Sequence, residues 1–241
     1  MGRTGPVGAV VALLLAACTA EPTQRAEAEP GTRAGATPSS PSPASSSPTA
    51  RPESVAPDPR TPVPAAPRVR EPRRSFLTIP ALGIRSFPVV RYRGTPDDGP
   101  GTVIQNSGPM ASPRGPGGGV GPGVVGNFIV TGHRTSHTAP FAELPFLQAG
   151  DRVLVRSGDS VLVYEITGTR ETSFRSAASK ARQVAPIPGR PGARATKAMI
   201  TLSTCATPED HAAGNFWFDR FGNPEHRIDK VGVLVERRPA A

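Results

Sequence analysis

Cysteine is scarce: the 241 residues contain two, Cys18 and Cys205. One of them falls in an N-terminal targeting segment, so a disulfide framework is excluded and Cys205 is left as a lone thiol. A lone thiol is either buried and inert or reactive by purpose. Aromatic residues are missing before Phe76, and all twelve lie from there onward. Without large apolar side chains the first 75 residues cannot build a core. From Phe76 to about Arg237 no apolar run reaches the roughly 18 residues of a membrane-spanning helix. The glycine-rich stretch Gly115 to Gly126 lacks the Lys-Ser/Thr ending of a phosphate loop, which excludes nucleotide binding of that type. Acidic residues are the minority, 19 against 28 Lys plus Arg, for a formal charge of +9. The basic residues are scattered, with no basic helix, aromatic stacking platform or zinc-finger spacing. The chain therefore reads as having no nucleic-acid partner, and the excess charge suits an anionic cell envelope.

What the chain has in abundance is proline, 30 residues, and glycine, 26. They are concentrated unevenly. Arg3 precedes the eleven-residue apolar run Val7 to Ala17, too short to span a bilayer. The run ends Leu15-Ala16-Ala17-Cys18, which resembles a bacterial lipobox. Residues 1–18 are thus expected to be a lipoprotein-type signal peptide with Cys18 as the lipidated residue. Acyl chains there would hold the protein on the extracellular face of the cytoplasmic membrane without a spanning helix. Residues 19–75, with 13 prolines from Thr19 to Arg74, read as a disordered Pro/Ser/Ala-rich linker with nothing to bury.

Residues 76–237 read as one mainly β domain. Phe76-Leu77-Thr78-Ile79 opens it as a short strand stopped by Pro80. Val89 to Tyr92, Gly101 to Ile104, Asn127 to Thr131, Ala198 to Thr204 and Ile228 to Val235 look like further strands. Arg152 to Arg156 and Ser160 to Thr167 flank Ser157-Gly158-Asp159, a hairpin turn. Ala139 to Leu147 is expected to be a short helix, with Phe141, Leu144 and Leu147 on one face. Many short strands and one or two helices indicate a closed antiparallel β-barrel.

Cys205 ends an apolar strand, where a thiol can face solvent and substrate. A nucleophilic thiol needs a proton acceptor or a cation that favours the thiolate. Of His133, His137, His211 and His226, only His133 also ends an apolar strand. Arg227 opens the last strand and stays protonated, which suits the stabilisation of an oxyanion. A zinc site from His133, His137 and Cys205 lacks a paired-cysteine knuckle or a helical His-Glu motif, so neither metal nor cofactor is expected.

These positions resemble sortases, the cysteine transpeptidases of Gram-positive envelopes. Thr131-Gly132-His133-Arg134 is similar to the family's Thr-Gly-His motif. Ile200-Thr201-Leu202-Ser203-Thr204-Cys205 is similar to its Thr-Leu-x-Thr-Cys motif. His226-Arg227-Ile228 resembles its arginine strand, and Leu77-Thr78-Ile79-Pro80 its opening strand. The resemblance covers about residues 76–236 and is strongest to class E sortases of actinobacteria. It implies a barrel in which Cys205 is nucleophile, His133 acid and base, and Arg227 oxyanion stabiliser, with Thr131 and Thr204 beside the substrate. The implied partners are secreted proteins with C-terminal sorting signals of LPxTG or LAxTG type and a peptidoglycan stem-peptide or other amine acceptor.

Two departures stand out. A lipid replaces the family's usual spanning helix, and 21 residues, Ala206 to His226, separate Cys205 from Arg227. Arg220 within that loop is the alternative arginine. The loop also holds Phe216-Trp217-Phe218 and Phe221, and Trp217 is assigned to the border of the substrate groove, with packing onto the barrel wall as the other reading. Two rival functions remain: an L,D-transpeptidase-type wall enzyme, whose cysteine follows a glycine that is missing here, and a non-catalytic envelope-binding lipoprotein that keeps the barrel.

Overall fold

The computed structural model describes residues 74–240. The expected signal peptide, Cys18 included, and all but the last two residues of the expected linker lie outside the described residues. Among the described residues, eight strands close into a barrel: β1 (Arg74–Ile79), β2 (Ile84–Arg93), β3 (Met110–Arg114), β4 (Gly126–Thr131), β5 (Arg152–Ser157), β6 (Ser160–Ser173), β7 (Ala198–Cys205) and β8 (His226–Pro239). Their order around the barrel is β1-β2-β3-β4-β7-β8-β6-β5. Three short helices accompany them: α1 (Gly99–Asn106), α2 (Ala177–Val184) and α3 (Thr207–Ala212). No helix among the described residues is long and apolar enough to cross a membrane.

The closed, mainly β barrel agrees with the sequence. Its strands are antiparallel at six of the eight seams, whereas β2–β3 and β4–β7 run parallel. Parallel neighbours need a crossover rather than a hairpin. The segment carrying α1 provides one crossover, and the β5–β6 hairpin with α2 provides the other. The parallel β4–β7 seam decides where the chemistry sits, because it brings the C-terminal ends of both strands to one rim of the barrel.

Local chemistry explains two further differences. Gly101 to Ile104, expected as a strand, lies inside α1. The Asp98 carboxylate accepts the Gly101 N–H as an N-cap, and Pro100 occupies the first turn. These start signals outweigh the β-branched Thr102, Val103 and Ile104. Ala139 to Leu147 forms turns and one 3-10 turn, Leu144–Phe146, instead of an α-helix. Pro140 and Pro145 remove the donors an α-helix would need. The spacing of three suits 3-10 geometry, and Phe141, Leu144 and Leu147 all enter the core.

The core fills the barrel interior with Leu77, Ile79, Phe128, Val130, Tyr164, Ile200 and Leu202, all at most 1% exposed. Burial of each such side chain contributes about 1.5–3 kcal/mol. Every residue of β4 is buried, as expected of a strand covered on both faces.

Candidate active site

Strand β7 alternates two chemistries. Ile200 and Leu202 point into the apolar core. Thr201, Ser203 and Cys205, the intervening residues, share the opposite face. That face is polar and satisfied: Thr201 Oγ1 donates to Asn127 Oδ1 at 2.8 Å, and Gln183 of α2 donates to Ser203 Oγ at 3.1 Å. In the antiparallel β7–β8 pair, Ser203 stands opposite Asp229 and Cys205 opposite Arg227. Residues directly opposite in such a pair point to the same side, so register alone carries the arginine to the thiol.

The contact is direct. Arg227 Nη1 donates to Cys205 Sγ at 2.7 Å. Arg227 is fully buried, and its Nε has no hydrogen-bond partner. Its Nη2 donates to Asn223 Oδ1 at 2.6 Å, its Nε makes a charge contact with Asp97 Oδ2 at 3.0 Å, and its guanidinium lies 4.4 Å from the centre of the Phe174 ring. Arg220, the alternative, stacks instead on exposed Phe221.

His133 reaches the same rim from β4. The β4–β7 register ends with Thr131 level with Ser203, and two bonds extend the pairing: Gly132 N–H donates to Ser203 O, and Thr204 Oγ1 donates to Gly132 O at 2.8 Å. One step further, His133 follows Gly132 as Cys205 follows Thr204. Gly132 is required there, since a Cβ would stand 2.9 Å from the Phe141 ring. His133 Nε2 is 2.8 Å from Asn106 Oδ1 at the end of α1, and its ring stacks on His137 at 4.8 Å between centroids. No hydrogen bond joins His133 to Cys205. Next door, Arg134 pairs with Glu209 of α3, its Nη2 at 3.0 Å from Oε1.

Cys205 and His133 are both biased towards their neutral forms. Burial pushes the Cys205 thiol up; Arg227 pulls it back down, while Asp97 adds to the rise. Burial pulls His133 down, helped by His137 and Arg227 and opposed by Asp97. Arg227 would lose basicity through burial alone, but Asp97 and the thiol hold it above its ordinary value. It is a permanent cation in a dry site.

Thr131 and Thr204 are buried, at most 1% exposed, and neither faces solvent. Trp217 is half-buried under the Arg175 guanidinium, while Phe216, Phe218 and Phe221 of the same loop are exposed. His211 is exposed and stacks on Phe216, and His226 pairs with Asp210. Among the described residues no group of three or more His, Cys, Asp or Glu is arranged to hold a metal ion. The residues the sequence reading missed are Asp97, Asn106 and Asn223. Asp97 and Asp98 are the only acidic residues between Arg74 and Glu143, a signal that one of them serves an unusual partner.

Residues 77–218 match the family model described as a sortase domain. Sortase SrtE1 of Streptomyces coelicolor is 30% identical over 115 residues, which is 48% of this chain and 28% of that protein. This chain therefore matches only a little over a quarter of that relative's length. A crystal structure of sortase E1 from Streptomyces coelicolor with a tripeptide in the active site superposes with a TM-score of 0.52 at 24% identity, covering 69% of this chain and 90% of the other. The sortase SrtA of Actinomyces oris gives 0.52 at 19% identity, covering 71% and 85%. The likeness to both structures extends to the fold.

Proposed function

Because this chain belongs to the sortase family, we propose that residues 76–237 are a cysteine transpeptidase acting on the Thr–Gly bond of an LPxTG- or LAxTG-like sorting signal. The observation that carries this reading is the Arg227–Cys205 contact, 2.7 Å across the β7–β8 pair, at the rim where β4 delivers His133. Cys205 gives its proton to His133 as Sγ attacks the threonine carbonyl carbon. The carbonyl oxygen gains negative charge beside the Arg227 guanidinium, which is buried and needs no reorganisation to receive it. The carbon–nitrogen bond then breaks, and His133 gives a proton to the departing glycine amine. A thioester remains on Cys205. An acceptor amine attacks it, His133 takes the amine's proton, and the thiolate leaves. Water in place of the amine gives hydrolysis.

The thiol pushed up and the imidazole pulled down both favour the neutral pair over the thiolate–imidazolium form. The Ala206 N–H donates to His226 O at 2.9 Å, so this backbone donor is already committed and the arginine carries the oxyanion. The exposed aromatics Phe216, Phe218 and Phe221, with Trp217, sit on the loop that joins nucleophile to arginine, and we assign them to the border of the substrate groove. The N-terminal 18 residues and the linker to residue 75 fit a lipid-anchored tether, with Cys18 as anchor, that holds the domain in the wall outside the cytoplasmic membrane.

The test is incubation with LAxTG and LPxTG peptides plus an amine, with mass detection of the thioester on Cys205. The expected result is an adduct and a transfer product in the wild type, and neither in Cys205→Ala with its melting temperature nearly unchanged. Residual turnover in that variant, or no adduct with any peptide, overturns the assignment.

A further inference from the structure

Asp97 is a buried carboxylate in an unusual backbone conformation. It is 6% exposed and has a φ of 55°, in the left-handed region that non-glycine residues seldom occupy. Its neighbour Asp98 caps α1, accepting from Gly101 N and Thr95 N. That turn leaves the Asp97 side chain directed at Arg227, whose Nε lies 3.0 Å from Oδ2. The other oxygen, Oδ1, accepts from Gln105 Nε2 at 2.8 Å, a buried bond from the opposite end of the same helix. The backbone is fixed as well: Asn223 Nδ2 donates to Asp97 O at 2.9 Å, while Asn223 Oδ1 receives Arg227 Nη2. Asn223 belongs to the loop between β7 and β8, so two separate connections converge on one guanidinium. Strained backbone that persists because its surroundings over-determine it is concentrated at functional sites.

We propose that Asp97 is a positioning residue of this site: its carboxylate holds the Arg227 guanidinium so that Nη1 stays on Cys205 Sγ. The inference rests on the transpeptidase reading for its kinetic consequence only. A guanidinium has five donors in a rigid fork. With Nε 3.0 Å from Asp97 Oδ2 in a charge contact that is not a hydrogen bond, and Nη2 bound to Asn223, the Nη1 edge is the one turned to the thiol, and later to the oxyanion. Asp97 also acts through space on both reacting groups, opposing Arg227 at Cys205 and at His133. Asp97 does not touch the thiol and takes no part in proton transfer.

The experiment compares Asp97→Asn and Asp97→Glu with the wild type in two ways. The first is the split of kcat from KM in peptide transfer. Loosened alignment by a fraction of an ångström to one ångström should cost roughly 10–100-fold in kcat with little change in KM for D97N, and D97E should recover part of it. The second is independent of substrate: the Nε–Hε resonance of Arg227 in 15N NMR, identified by its loss in Arg227→Lys. D97N should shift this signal and speed its exchange with water, and D97E should restore it in part. Should D97N fail to fold, Gln105→Met keeps the Asp97 carboxylate but removes the donor to Oδ1, along with a long bond to Gly101 O, and should move both readings the same way by less. An unchanged Arg227 resonance in a folded D97N or Gln105→Met variant, or a loss confined to KM, overturns the proposal. A shifted resonance in a protein with no peptide turnover would retain Asp97 as the positioning residue while the transpeptidase reading fails.

Discussion

The two halves of the rim are built differently. On the β7–β8 side, Arg227 is fully buried and bound by Cys205, Asn223 and Asp97, each of them held in turn by other groups. On the β4 side, His133 is half-buried in a turn whose following residues 135–138 are exposed, and the one hydrogen bond of its ring runs to the exposed Asn106. The contrast suits the roles proposed for the two groups. An oxyanion donor is most effective when fixed and dry, because a low dielectric strengthens its field and no solvent must reorganise. A group that gives a proton to one amine and takes it from another must meet two partners in succession, and a looser turn allows that.

The largest expected effect falls on the rigid half. Arg227→Ala removes the proposed oxyanion donor and leaves Asp97 buried without its counter-charge. We expect kcat/KM to fall about 10²–10³-fold and stability to fall by about 3–5 kcal/mol, read by single-turnover kinetics and chemical denaturation. If stability were unaffected, the rigid half would not be rigid in the sense described, and the contrast would collapse.

On the looser half, activity and stability should separate. His133→Ala should lose about 10²–10⁴-fold in activity with a melting temperature close to that of the wild type, because the ring is half-buried and makes one bond. His137→Ala should keep most activity. Its more sensitive readout is the His133 imidazole titration by proton NMR. His137 lowers the His133 pKa, so its removal should raise it. A downward movement would mean that stacking, not charge, dominates between the two rings. Equal activity losses at both histidines would point away from a single acid and base.

The same contrast separates what was legible in the sequence from what was not. Residues that end strands were readable, because the alternation around Cys205 and His133 and the arginine at the head of β8 are local patterns. The barrel was readable from its many short strands. The two parallel seams were not, since register between β4 and β7 depends on a crossover more than 60 residues long. Gln105 and Asn223 were invisible for the same reason, and the isolation of Asp97 and Asp98 among basic residues marked Asp97 without naming its partner. They act on Arg227 from segments that no spacing connects to it. Helix α1 was readable in principle from Asp98-Gly99-Pro100, but its β-branched Thr102, Val103 and Ile104 carry the opposite signal.

The smallest effect probes how firmly the rigid half is tied at its edge. His226 precedes Arg227 and anchors α3. Its Nδ1 is 2.6 Å from Asp210 Oδ1, its backbone N–H donates to Asp210 Oδ2 at 3.0 Å, and Glu171 and Glu225 lie 3.8 Å from Nε2. Burial pulls the imidazole down, but the bond and charge of Asp210, with the two glutamates, outweigh it and leave the pKa raised. A raised folded-state value means that the native protein binds the proton more tightly than the unfolded chain does. The stabilisation is complete below the unfolded value, near 6.5, and is lost as pH rises through the higher folded value. His226→Gln should therefore lower the melting temperature more at pH 5.5 than at pH 9. The difference should correspond to about 1 kcal/mol or less, because the pair is partly exposed to screening solvent. The backbone bond to Asp210 survives the substitution and should keep Arg227 in place, so turnover at pH 7 should change little. A melting difference of equal size at both pH values would show that His226 holds α3 by packing alone. A large loss of turnover would instead extend the rigid half by one residue beyond the arginine.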